Sequence, residues 1–235
     1  MKKLKFLSLF ITVLASSFIL SGCGKKDTSN TSNTNTANSK QNSELVLQDS
    51  EKPIISLIPR ADGHELKLKI ENIPSNVSQI EYELIYSATD SGLTMEKGVG
   101  DTVKISSSSI EKDLLLGTAS CTNGCKYKYD ENVDSGTLTL YLYTDDNQST
   151  TFETPFILTT SSKIKTNSGF SLDTQNFSVK ATTTTKSDYF VVIKNYPSYY
   201  SVFSSGTGAG KVTSITPDTV TKDDMTSLVG NYKIQ

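Results

Sequence analysis

Two cysteines stand four residues apart in the run "GTASCTNGCKYKY" (117–129), with Thr122, Asn123 and Gly124 between Cys121 and Cys125. A thiol pair at short spacing can be a redox centre, part of a metal site, or a disulfide stapling a turn. The only other cysteine in the 235-residue chain is Cys23, and the only histidine is His64. That inventory narrows the chemistry. One histidine and two cysteines cannot close a four-ligand zinc site without carboxylate help. A nucleophilic triad needs a general base, usually histidine. His64 sits in "ADGHELKL", where Asp62-Gly63 reads as a turn, and no Gly-x-Ser-x-Gly elbow accompanies it. His64 therefore reads as a solvated hairpin residue. Ser-x-x-Lys occurs at Ser109…Lys112 and Ser162…Lys165, but without the Ser-Asp-Asn and Lys-Thr-Gly motifs that the acyl-enzyme chemistry requires.

Two further clusters carry possible chemistry. In "DENVDSG", Asp130, Asn132 and Asp134 alternate and could present oxygens to calcium, but a calcium loop then requires glycine at 135 and glutamate at 141. Ser135 and Tyr141 stand there, so the segment reads as a polar turn with a weak calcium candidate, and no metal or cofactor is assigned. In "KNYPSYYSVF", Tyr196, Tyr199 and Tyr200 gather around a proline at a strand end. Large apolar rings with polar tips suit a sugar- or peptide-binding face, or the cover of a core. "SSGTGAGKVTS" has Ser205 and Val212 where a phosphate loop needs glycine and a hydroxyl residue. It reads as a flexible hairpin connection.

The elements that must position these residues show a period of two. "HELKLKI" sets Leu66, Leu68 and Ile70 on one face; "QIEYELIY" does so with Ile80, Tyr82, Leu84 and Tyr86; "GTLTLYLY" with Leu138, Leu140 and Leu142. Such alternation marks strands with one face on a core, and turn formers separate the runs every eight to twelve residues. The spacing predicts an all-β protein: a β-sandwich over 44–160, from "PIISLIP" to "TFETPFILTT", followed by a smaller β-rich C-terminal region over 161–235. Six short strands are expected in that region. Tyr189–Ile193, apolar at successive positions, reads as a strand covered on both faces, and Lys222–Val229 as one short helix. The arrangement over 50–160 resembles immunoglobulin-like and fibronectin type III domains, with a tyrosine-bearing central strand at "IEYELIY". Such domains mostly serve as spacers or binding modules.

The chain opens "MKKLKFLSLFITVLASSFILSGC", with Lys2, Lys3 and Lys5 before a short apolar run from Phe6 to Leu20. This pattern is that of an exported signal peptide over residues 1–22. Its end, Leu20-Ser21-Gly22-Cys23, resembles the lipobox of bacterial lipoproteins. The resemblance implies lipidation of Cys23, cleavage before it, and acylation of the new amino terminus, giving a stable anchor. Residues 23–43 then read as the lipidated cysteine and a Ser/Thr/Asn-rich disordered tether, whose twenty residues reach roughly 25 Å. Loss of three of the 23 basic residues leaves 20 against 25 acidic, a net charge of −5, with no basic footprint for nucleic acid.

The expected location is extracytoplasmic, held by lipid to the bacterial cell membrane, or to the outer membrane of a host that has one. The expected role is non-catalytic binding or structure in the envelope. The partners in view are the membrane through the anchor, envelope polysaccharide, or another surface protein. The alternative is an exported enzyme or solute-binding lipoprotein whose site forms only in three dimensions. Outside the cytosol thiols are usually paired, and Thr122-Asn123-Gly124 suits a three-residue hairpin loop with glycine at the left-handed position. Facing residues of such a hairpin lie within disulfide reach. The pair Cys121–Cys125 is therefore expected as a disulfide locking a loop tip.

Overall fold

Alternating apolar side chains put one face of each strand into a core, and the chain folds as that pattern dictates. The computed structural model describes residues 43–182, 188–196, 198–207 and 210–235. Residues 1–42, on which the expected signal sequence, the lipobox-like segment with Cys23 and the expected tether fall, lie outside the described residues. So do residues 183–187 (most of the threonine run), Pro197 and residues 208–209. The strands in chain order are β1 (Ser43–Glu44), β2 (Ile54–Pro59), β3 (Glu65–Glu71), β4 (Val77–Asp90), β5 (Leu93–Lys104) and β6 (Ile110–Leu115). Next come β7 (Gly117–Cys121), β8 (Cys125–Tyr129), β9 (Ser135–Thr144), β10 (Gln148–Thr160), β11 (Lys165–Thr166) and β12 (Gly169–Asp173). The last six are β13 (Ser178–Ala181), β14 (Tyr189–Asn195), β15 (Tyr199–Ser204), β16 (Val212–Thr216), β17 (Val220–Thr221) and β18 (Gly230–Ile234). The protein is all-β, with several antiparallel sheets and no α-helix among the described residues.

A nine-stranded sheet forms the spine, ordered β17-β18-β15-β14-β10-β9-β4-β5, with β1 added in parallel to the start of β10. A three-stranded sheet, β2-β3-β6, covers one of its faces. Ile55, Leu57, Leu66, Leu68, Ile70 and Leu114 from this cover meet Ile80, Leu84, Leu138, Leu140 and Leu142 of the spine, all buried. A four-stranded sheet, β11-β12-β13-β16, makes a second core with Phe190, Val192, Tyr200, Val202 and Tyr232.

Strand β14 joins the two cores. Val191 and Ile193 belong to the first and Phe190 and Val192 to the second. This is the doubly covered strand expected from the apolar run, and its odd and even residues face opposite ways because the strand repeat is two. It pairs with β10 from Phe156↔Ile193 to Thr160↔Tyr189, so the spine runs unbroken past residue 160.

Two expectations are corrected. Lys222–Val229 is a turn, not a helix. The Asp224 carboxylate accepts the backbone N–H of Thr226 at 2.8 Å and its hydroxyl at 2.6 Å, and Met225 gives its carbonyl to Val212. Short Asp/Ser/Thr-rich segments favour such local bonds over a costly helix nucleus. The glycine-rich segment after Ser204 is not a hairpin connection either, since β15 pairs with β14 and β18 whereas β16 pairs with β13. It carries the chain from the spine to the second cover.

Candidate functional site

Strands β7 and β8 pair only with each other and stand apart as a two-stranded arm. Every arm residue from Thr118 to Tyr129 is exposed. Cys121 and Cys125 are bonded at the tip, and Gly124 takes φ +92°, a left-handed conformation suited to glycine. The pair is thus a staple, as the hairpin spacing implies.

The register divides the arm into two faces. Tyr129, Tyr127 and the disulfide share one face with Gly117 and Ala119, whereas Lys126 and Lys128 share the other with Ser120 and Thr118. The Tyr127 and Tyr129 rings are parallel, 6.0 Å apart, and Tyr129 stacks on His64 at 4.1 Å. His64 is therefore half-buried under a tyrosine instead of being a freely solvated turn residue. Tyr127, at 54% exposure, is the outer end of this ladder. No local window of sequence links Tyr129 to His64, 65 positions away; the i, i+2 spacing of Tyr127 and Tyr129 is the signal that puts both on one face.

The base of the arm is fastened by charge. Asp130, only 9% exposed, accepts the Tyr86 hydroxyl at 2.8 Å and pairs with the Lys97 ammonium. Burial first, and then the bond to Asp130, raises the Tyr86 phenol above its ordinary range. Asp90, salt-bridged to Lys128 at 3.0 Å, has its carboxyl lowered chiefly by that lysine. In the neighbouring β2–β3 turn, the Arg60 guanidinium grips Asp62 and holds its carboxyl down at about 2.

These bonds already engage the residues of the calcium candidate. Both Asp130 oxygens face internal partners, Asn132 takes a left-handed φ of +56°, and Asp134 accepts the Ser135 hydroxyl. Among the described residues, no three His, Cys, Asp or Glu side chains gather as metal ligands.

The three candidate binding tyrosines do not share one face. Tyr200 points into the second core and stacks on Phe177 at 4.6 Å, so it is a core residue. Tyr196 donates its hydroxyl to the Glu153 carbonyl at 2.8 Å and meets Phe152 edge-on at 5.0 Å. Tyr196 and Tyr199 line a groove of about 380 Å³ with Asn72, Asn195, Ser201 and Asn231. Asn195, missed in the sequence, holds the wall of that groove together. Its Oδ1 accepts the Ile55 N–H at 3.1 Å, and its Nδ2 donates to the Ile55 carbonyl. No protein-family model matches the chain, and neither a curated protein nor a solved structure matches it significantly.

Proposed function

We propose that the chain is a lipid-anchored, exported bacterial surface lipoprotein with a non-catalytic binding role, which presents the β7–β8 arm to its partner. The disulfide at the tip of a wholly exposed arm carries this reading. Disulfides persist mainly outside the cytosol, and a loop locked before binding loses less entropy on contact. The lipobox at Leu20–Cys23 and the Ser/Thr/Asn-rich tether supply the route and the anchor. The membrane is then one partner, and envelope polysaccharide or another surface protein is the other.

The strand order favours a fibronectin type III-like sandwich as the scaffold. Counted from β2, leaving out the arm, the first, second and fifth strands (β2, β3, β6) form one sheet. The fourth, third, sixth and seventh (β5, β4, β9, β10) run side by side in the other. This is the sandwich order expected of that family. The arm occupies the connection between the fifth and sixth strands.

Two measurements test the reading. Cells fed labelled palmitate are expected to label the wild-type chain in the membrane fraction, whereas Cys23→Ala is expected to lose the label. A Cys23→Ala chain that stays in the membrane and keeps its acyl label sinks the anchor. Surface capture by the wild-type chain is expected to fall on Tyr127→Ala with Lys126→Ala. Undiminished capture sinks the arm as the contact.

A further inference from the structure

The spine changes its cover at β14. Towards β10 the three-stranded sheet lies on the first face; towards β15 and β18 the four-stranded sheet lies on the opposite one. Beyond Phe203, which still packs on the first core, the first face of β15 and β18 runs out from under its cover and bears Tyr199, Ser201, Asn231 and Lys233. Tyr199 stands opposite Asn195, and Ser201 opposite Asn231. Strand β2 lies against β14 and β15 and forms the facing wall together with Asp49, Ser50 and Lys52. The space between is the groove of about 380 Å³, near the lower end of the ~300–1,000 Å³ range of small-molecule sites.

We propose that this groove binds a short segment of an uncharged oligosaccharide. The inference rests on the surface-binding reading only for access to polysaccharide; the groove itself is argued from its own residues. A sugar ring offers a C–H face to an aromatic plane and a rim of hydroxyls that both donate and accept. The groove supplies both complements. Tyr199 is half-buried along it, and Tyr196 is fixed at its hydroxyl and its edge, so the rings are positioned in advance. Asn231 accepts the Ser201 hydroxyl at 2.8 Å through Oδ1, and its Nδ2 donors have no partner among the described residues. Asn72 donates Nδ2 to the Ser50 and Lys52 carbonyls at 2.9 Å, leaving its Oδ1 as an acceptor.

Charge disfavours an acidic or basic ligand only weakly: among the described lining residues the charged ones are Asp49 and Lys52, which pair at 2.7 Å, and the exposed Lys233 stands opposite Tyr199 on β18. An extended peptide adding to the β2 edge is disfavoured too. At Ile55 the backbone N–H and carbonyl that such a strand would use are already bonded to Asn195.

The test titrates the purified full-length chain with cellobiose, maltose and N,N′-diacetylchitobiose, with digalacturonate as the acidic control, by calorimetry and ligand-observed NMR. Saturable binding of at least one neutral disaccharide is expected, weakened about tenfold or more by Tyr199→Ala and by Asn231→Ala. Asn231→Ala, which also removes the acceptor of the buried Ser201 hydroxyl, should stay folded by circular dichroism, and Lys126→Ala on the arm should bind as wild type. No binding of any neutral disaccharide at about 10 mM, tighter binding of the acid, or affinity indifferent to both groove variants overturns the proposal. Because purified chain is used, failure here leaves the anchor and arm standing, and failure of the Cys23→Ala test leaves the groove standing.

Discussion

Replacing Asn195 by alanine is expected to destabilise the protein well beyond an ordinary polar truncation. The side chain is 4% exposed and serves as a surrogate strand: Oδ1 accepts from Ile55 and Tyr196, and Nδ2 donates to the Ile55 carbonyl and weakly to Ser201. Ile55 itself is fully buried. Truncation leaves its N–H and C=O without partners, and each such buried group costs about 1–3 kcal/mol. The groove admits some water on one side, so the expected loss is about 2–4 kcal/mol, or a fall of roughly 5–15 °C in Tm for a chain of this size. Asn195→Asp separates the bonding from the packing. It keeps the acceptor but sets a carboxylate oxygen against the Ile55 carbonyl, which raises its folded pKa above the unfolded ~3.9. Its stability should therefore be best below that value, where the protonated acid can donate, and should fall as pH rises through the folded pKa. Urea unfolding at pH 4 and pH 7, read by circular dichroism, checks both. An alanine variant within about 0.5 kcal/mol of wild type, or an aspartate variant equally stable at both pH values, refutes the reasoning.

Asp130→Ala strands the Lys97 ammonium and the Tyr86 hydroxyl, and should cost about 3 kcal/mol in chemical unfolding, against about 1 for Tyr86→Phe. The Asp62 carboxyl, held at about 2 by Arg60, should titrate near its ordinary value in Arg60→Ala when followed by carboxyl NMR. Its contribution to stability is present above the unfolded ~3.9 and is lost as pH falls towards 2; with both groups largely in water it stays well under 1 kcal/mol. Reducing the Cys121–Cys125 bond should speed amide exchange in β7 and β8 while core amides change little, since closing so short a loop contributes only about 2 kcal/mol. A thiol assay of the unreduced chain should find no free thiol at either position.

The parts of this fold legible in advance were those that a local period encodes. Leu66, Leu68 and Ile70, or Leu138, Leu140 and Leu142, announce their buried faces by alternation, and Phe190–Ile193 announces a strand with no wet face. Cys121 and Cys125 could be paired because a hairpin brings near neighbours together. The tyrosines mark the limit of such reading. Tyr199 and Tyr200 are adjacent on one strand, so the pleat sends one into the groove and the other into the core; grouping them by proximity ignored that rule. The setting of Asp130 was hidden for a different reason. Its partners Lys97 and Tyr86 lie 33 and 44 residues away, and only the sheet topology brings them to it. Asn195 acts across 140 residues of chain, which no window of sequence displays.

Sharing β14 between two cores leaves no clean seam at which to divide the molecule. A fragment ending at Thr160 would lose Val191 and Ile193 from its interior and bare the edge of β10 from Phe156 onward, an invitation to edge-to-edge aggregation. The complementary fragment would keep β14 with one oily side facing water. Gene duplication or recombination that cuts near residue 160 should therefore yield insoluble products, and the two halves are constrained to be inherited as a unit.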